Sequence, residues 1–378
     1  MANLSTEIVN FAQGDTSFYE RFQDYYFHKS AVENNRKLGA YDESVSLSEK
    51  SQKVSNAFFA EVEKVSGVKR TAENAEAWCS NPMVKWANFA VLNATINAVL
   101  PAYAMSSLAP FVDFRTVSYG DIVKFRVKPK TLYTVSKGGH GERTTFRQKK
   151  YDGDVVVAPV EHIVTVYADM YRVLAGKEDI AEFVRTVVLS IEIEMNKDAV
   201  AALNAGLSAA TYPTQFKESG AFDPKKLIAL GQRVQAYNMM AKPVIIGTAA
   251  ALSNVLPDST LGFRGNYDAN GGSVRIMKDF YGFDLIEIPQ MPTGVNYGLA
   301  LNDSALYIVS PAMDKMIKGV MSNTLTNSNQ FYENADITQN FTMRKDWNFE
   351  FVSAAFGGIY NITDYFNKLK GRENTSRP

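Results

Sequence analysis

The residue types that most often do chemistry are scarce in this chain and stand far apart. There are three histidines, His28, His140 and His162, and one cysteine, Cys79. The histidines share no metal-ligand spacing, and a single cysteine excludes an intramolecular disulfide framework and a Cys-rich zinc site. Cys79, next to Trp78, has no adjacent basic residue to hold a thiolate, so it reads as a buried structural thiol. His162 stands among Val and Ile and reads as a satisfied strand side chain rather than a general base. Ala175-Gly176-Lys177 lacks the earlier glycine that a phosphate loop uses, and Asp152-Gly153-Asp154 lacks the downstream acids of a Ca²⁺ loop. Gly138-Gly139-His140-Gly141 has the G-x-x-G form of a nucleic-acid clamp but falls at a hairpin tip, where glycines serve a reversal. No nucleophile elbow, metalloprotease helix or dinucleotide fingerprint occurs. The expectation is a protein with no catalytic residue, no metal and no cofactor.

The chemistry that remains is electrostatic. Arg115, Lys124, Arg126, Lys128, Lys130, Lys137, Arg143, Arg147, Lys149 and Lys150 face only Asp121 and Glu142 within residues 115–150. That stretch carries +8, and the rest of the chain carries −8. Three readings are open: a β-ribbon for a nucleic-acid groove, a solvated strand face, or a ribbon that docks on the acidic surface of an identical neighbour. A chain of zero net charge suits the third best.

The elements that would carry the ribbon follow from periodicity. Val123, Phe125 and Val127 alternate with Lys124, Arg126 and Lys128, the period of a strand. Asp154 to Tyr167, rich in Val and Ile, reads as the returning strand, with Pro159 at an edge or bulge. An isolated two-stranded ribbon is marginal in water, so it needs a surface to lie on. Before it, Phe18, Phe22, Tyr25 and Tyr26 form an aromatic helical stripe that packs on other parts or other subunits. Ser46 to Glu49 is a capping box for a helix that Gly67 ends, and Asn81-Pro82 opens a helix that Pro101 stops. Residues 177–205 give the strongest helix, with a stripe from Ile180 to Met195 and a stop at Gly206. An α/β lobe follows: a helix from Asp223-Pro224, a buried strand at Pro243 to Gly247, a helix capped by Thr248, and a glycine-rich loop from Leu261 to Gly272. A Ser273-capped helix ended by Gly282, a strand at Phe283 to Ile288 and two strands within Leu299 to Val309 complete it. Aromatic strands flanking Lys345-Asp346 close the chain between Phe341 and Tyr360.

The 378 residues are 46% hydrophobic and 12% aromatic, too apolar for a disordered chain. The zero net charge excludes a uniformly basic nucleic-acid binder. The most apolar stretch, Phe89 to Val112, is broken by Asn93, Thr95, Asn97 and Pro101, and the N-terminus has no signal-peptide pattern.

This order of elements resembles the major capsid protein of tailed double-stranded-DNA bacteriophages, the Hong Kong 97-like fold that encapsulin shells share. The resemblance covers most of the chain from residue 75 and implies an α+β fold. It divides the chain into a helical arm (1–75), a first peripheral part (76–114), an extended β-hairpin loop (115–168), a spine helix (169–206), an axial domain (207–328) and peripheral strands with a tail (329–378). It implies inter-subunit contacts by the hairpin residues Lys124, Arg126, Lys128, Lys130, Lys137, Arg143, Arg147, Lys149 and Lys150. It places Gly262, Arg264, Gly265, Gly271 and Gly272 at the capsomer centre and gives Phe18, Phe22, Tyr25 and Tyr26 the arm packing. The implied function is a structural virion protein, assembled in the host cytoplasm into hexamers and pentamers around packaged DNA, with itself, a scaffolding protein and a portal as partners. A start at Met1 carries the further expectation of an uncleaved arm and a separate scaffold. An encapsulin-like compartment and a DNA-binding protein using ribbon 115–150 are the alternatives.

Overall fold

In the computed structural model, helix ends fall where polar caps stand. The structure describes residues 16–34, 39–71, 73–74, 77–78, 81–103, 111–118, 122–127, 133, 148–150, 152–168, 179–255, 279–294, 297–311, 314–322, 326–327, 339–352 and 354–363. After α1 (Thr16–Asn34), α2 (Leu47–Ser66) begins at Ser46, whose hydroxyl accepts from the Glu49 amide. It ends at Gly67, left-handed at φ 70°, whose amide donates to the Glu63 carbonyl. α3 (Pro82–Tyr103) starts with the Asn81 side chain accepting from the Met83 amide at 2.9 Å. It runs two residues beyond Pro101, where the sequence places its stop. A proline in the last turn removes only its own donor, so the final turn persists.

The long helix α4 (Ile180–Ser208) is capped by Asp179, which accepts from the Ala181 amide at 2.9 Å. Its 29 residues make a rod of ~43 Å. Gly206 does not end it. The glycine lies inside the last turns, where a Cβ would sit 2.0 Å from Phe351 Cγ. Close approach, not a left-handed turn, is what this glycine provides. Gly206→Ala is therefore expected to destabilise by about 1–3 kcal/mol through overpacking, although alanine is the better helix former by ~1 kcal/mol. A urea titration checks this; a raised midpoint would show that Phe351 can swing aside.

Two sheets organise the rest. In the first, β1 (Val112–Val117) pairs in parallel with β10 (Ile317–Ser322), which pairs antiparallel with the C-terminal part of β12 (Gln339–Phe351). The earlier part of β12 pairs antiparallel with β4 (Val160–Ala168), and β11 (Thr326–Asn327) adds a short piece. β12 runs unbroken through Lys345-Asp346. The second sheet has the order β5 (Lys217–Gly220), β13 (Gly358–Ile362), β9 (Ala305–Val309), β6 (Val244–Gly247), β8 (Phe283–Glu287), β7 (Asp279–Phe280). α5 (Pro224–Tyr237), capped by Asp223, and the short α6 (Ala249–Leu252), capped by Thr248, pack on it. A separate ribbon pairs β2 (Lys124–Val127) with β3 (Gly153–Val156), with Lys124 opposite Val156.

Four expectations change. β10 falls within 207–328 yet belongs to the first sheet, and β13 falls within 329–378 yet belongs to the second. The 328/329 division therefore does not follow the sheets, because strand pairing joins segments distant in sequence. The hairpin 115–168 is likewise divided: among the described residues only β2 and β3 pair as a ribbon, while β1 and β4 are strands of the first sheet. Gly282 closes a turn between β7 and β8, with Tyr281 at φ 49° and Gly282 at φ 86°, rather than a helix. Within Leu299 to Val309 the one regular strand is β9, and Leu299 forms an isolated bridge with Pro292.

The main core joins α1, α2, α3 and α4 to the first sheet and to one face of the second, through Ile246, Tyr307 and Ile359; a second core lies on the other face of the second sheet, with Ile245, Leu306 and Tyr360. Phe18, Phe22, Tyr25 and Tyr26 are buried in the main core of their own chain.

Candidate functional site

The base of the ribbon is built around one aromatic ring. Phe125, on β2, is buried in a small separate core with Val117, Val157 and Val320. The Arg115 guanidinium lies 4.5 Å from its centroid and the Lys318 ammonium 5.9 Å, both in cation–π range. Lys318 is 2% exposed and is held by Asp314 at 2.7 Å and Asp113 at 3.7 Å. Asp113 also holds Arg115 at 3.3 Å. A buried ammonium must be paired, and these two carboxylates supply the pairing. The result is a buried, charge-paired anchor beneath the β2–β3 pair.

Of the residues assigned to inter-subunit contact, Lys124, Arg126, Lys149 and Lys150 are described. Arg126 pairs with Asp152 at 2.9 Å across the ribbon, and the Lys150 ammonium lies 4.8 Å from the Tyr133 ring centroid. Lys124 and Lys149 are exposed, and the Lys124 carbonyl accepts from Arg115. Lys128, Lys130, Lys137, Arg143 and Arg147 lie outside the described residues, as do Gly262, Arg264, Gly265, Gly271, Gly272 and Cys79.

A second polar constellation fastens the arm to the long helix. Lys29 on α1 donates to Glu182 Oε2 at 2.5 Å, and the Tyr25 hydroxyl donates to the same oxygen at 3.0 Å. Arg185 bridges Glu182 at 3.1 Å and Glu33 at 2.7 Å. Two turns beyond Arg185 along α4, Tyr26 donates to Glu192 at 3.2 Å. α2 adds Ser51, which donates to Asp179, and Lys50, which pairs with Asp24 at 2.7 Å. Burial alone would raise the Glu182 carboxyl, but the hydrogen bonds from Lys29 and Tyr25 and the Arg185 and Lys29 charges bring it below the ordinary range. Burial and the Glu182 charge push the Tyr25 hydroxyl up, so it stays a donor.

His162 is a satisfied strand side chain. Its ring stacks on Trp347 at 3.7 Å and 5°, and Nε2 lies 3.5 Å from Asp198 on α4. The same Asp198 oxygen accepts from the Trp347 indole at 2.8 Å. Elsewhere burial lowers Lys345 to about 8.

Sequence reading missed Arg185, Lys318 and their carboxylates. A signal existed: Arg185 interrupts the apolar stripe of α4, and Lys318 stands inside Met316 to Met321. A charge within an apolar run marks a place where the fold must supply a counter-charge. Among the described residues no group of three or more His, Cys, Asp or Glu could hold a metal, and no helix is long and apolar enough to cross a membrane.

Residues 33–259, more than half of the chain, match the family model described as "SPbeta prophage-derived putative capsid protein YonB". No curated protein matches. Among solved structures, the mature capsid of bacteriophage PhiM1 is similar at 12% identity and TM-score 0.44, over 68% of this chain and 86% of that one. A virus-like particle from Pyrococcus furiosus is similar at 9% identity and TM-score 0.43, over 71% of this chain and 96% of that one. Microbacterium phage Oxtober96 is similar at 13% and 0.39, over 68% and 90%. On the family match, the chain belongs to the prophage-derived YonB family of capsid proteins.

Proposed function

We propose that this protein is the shell-forming subunit of a phage-type capsid, assembling as hexamers and pentamers in a Hong Kong 97-like arrangement into a closed icosahedral shell around double-stranded DNA. The match over 33–259 carries this reading. The charge distribution supports it: residues 115–150 carry +8 and include the ribbon base anchored at Phe125, and the remaining −8 offers complementary charge on another copy. Contacts of modest strength, repeated by symmetry, close such a shell. Assembly takes place in the host cytoplasm on a scaffolding protein and around a portal, and packaged DNA meets the inner face without sequence preference. The glycine-rich segment Gly262 to Gly272, with Arg264, faces the capsomer centre.

Size-exclusion chromatography and negative-stain microscopy of the chain produced with its neighbouring prophage genes test the proposal, with closed particles as the expected result. A chain that stays monomeric under all such conditions refutes it. Neutralising Lys124, Lys128 and Lys130 together is expected to reduce particle yield at least tenfold while leaving the subunit folded. A DNA-binding ribbon would instead show its loss as weaker, less salt-dependent DNA binding. Particles filled with a protein cargo and no DNA would favour a compartment shell.

A further inference from the structure

Four described residues other than glycine hold the backbone in the left-handed region: Met239 (φ 55°), Met240 (64°), Tyr281 (49°) and Tyr297 (54°). Such positions ordinarily take Gly, Asn or Asp, because a larger side chain there is strained. All four here carry large apolar or aromatic side chains at turn tips, and they are exposed by 45%, 68%, 59% and 104%. At Tyr281 the backbone serves the turn between β7 and β8, but a solvated monomer gains nothing from exposing the four apolar side chains. Backbone strain at a surface points to function, and an exposed apolar group points to a partner.

The fold sorts these residues into two groups. β6 and β8 are parallel, so their N-terminal ends lie together. Met239 and Met240 lead into β6 and Tyr281 leads into β8, and Lys242 to Asp284, at 2.8 Å, ties the two starts. Tyr237, 58% exposed, joins them from the end of α5. This end is rigid: the Asn238 side chain, 1% exposed, donates to the Phe356 carbonyl at 2.6 Å and accepts from the Phe356 amide at 2.9 Å. Tyr297 lies beyond the C-terminal end of β8, in an excursion closed by the Pro292–Leu299 bridge, with Leu299 61% exposed beside it. The two groups stand at opposite ends of one sheet.

We infer that these ends are the two halves of one head-to-tail contact, in which Tyr237, Met239, Met240 and Tyr281 of one copy pack on Tyr297 and Leu299 of a second copy of this chain. The inference rests on the shell-subunit reading and specifies where its copies meet. Unlike patches at opposite ends leave each copy one patch of each kind, the heterologous geometry that closes rings. A buried aromatic covers about 150–250 Å². Two exposed tyrosines and two methionines on one copy, and a tyrosine with a leucine on the other, thus each supply a part of the ~800 Å² per partner that a standard interface buries. Methionine adapts to the small differences of angle between rings of five and six.

Disulfide trapping tests this. In a Cys79→Ser background, Met240→Cys combined with Tyr297→Cys is expected to give a ladder of linked multimers when assembled particles are oxidised, while each single variant gives monomer. Dimers from Met240→Cys alone, or assembled but unlinked double variants, overturn the contact while leaving the shell reading intact. A second measurement uses Met239→Gly with Met240→Gly, which relieves the strain and removes the side chains. The melting temperature of the isolated subunit is expected to hold or rise, and the concentration needed for assembly to increase at least tenfold. Unchanged assembly overturns the inference. Failure of the unaltered chain to assemble overturns the shell reading and this contact with it.

Discussion

Trp347→Ala is expected to lower the unfolding free energy by about 3–5 kcal/mol, the range for deleting a fully buried large aromatic. Trp347 is 1% exposed and sits where the two halves of the first sheet meet, opposite Met321 on β10 and Val160 on β4. Truncation removes the surface on which His162 stacks and the indole donor of Asp198, so β4 loses its fastening to α4. β4 follows directly on the ribbon base, so its amides should exchange faster than those of β9 in the variant. Trp347→Phe separates the contributions: most of the buried area survives, and loss of the indole hydrogen bond costs about 1–3 kcal/mol. Urea titration of both variants, with hydrogen exchange on the first, measures this. A loss under 1 kcal/mol for the alanine variant would mean that β10 alone holds β12.

Arg185→Ala is expected to cost about 2 kcal/mol, below the ~3–5 kcal/mol for breaking a fully buried pair, because Glu33 and Glu182 are partly open to water. The loss should appear first as release of α1 from α4, read by proteolysis within 35–46. The same fastening responds to acid. The Glu182 carboxyl is held below its ordinary value of 4.5 by Lys29, Tyr25 and Arg185 despite its burial. A depressed carboxylate stabilises the fold above its unfolded pKa, and that contribution disappears as pH falls through the lower folded value. Asp179 and Glu33 flank the site, and Lys29 and Arg185 face it. Proteolysis of the arm should therefore accelerate below about pH 4.5 in the unaltered protein, where ordinary glutamates protonate. Glu182→Gln should flatten that dependence. An arm equally resistant at pH 4 and 7 would show that the apolar contacts of Phe18, Phe22 and Tyr26 hold it unaided.

Sequence alone determined the features written in neighbouring residues. Ser46, Gly67, Asn81, Asp223 and Thr248 mark helix ends because a cap acts over three or four positions. The buried strand Val244–Gly247, the amphipathic run of α4, the alternation of β2 and the charge of the ribbon were legible for the same reason: each is a local period or a local count. Only the tertiary structure decided which strands share a sheet, that Gly206 yields to Phe351, and that Arg185 and Lys318 meet carboxylates of other elements. It alone placed Met239, Met240 and Tyr281 at one end of the second sheet and Tyr297 at the other. Pairing, close approach and counter-charge join residues tens to hundreds of positions apart, as in Gly206 with Phe351 and Arg185 with Glu33, and no local pattern encodes the partner. A zero net charge said little by itself; the local count resolved it into +8 over residues 115–150 and −8 elsewhere, and the fold added the carboxylates that hold Arg115 and Lys318 at Phe125.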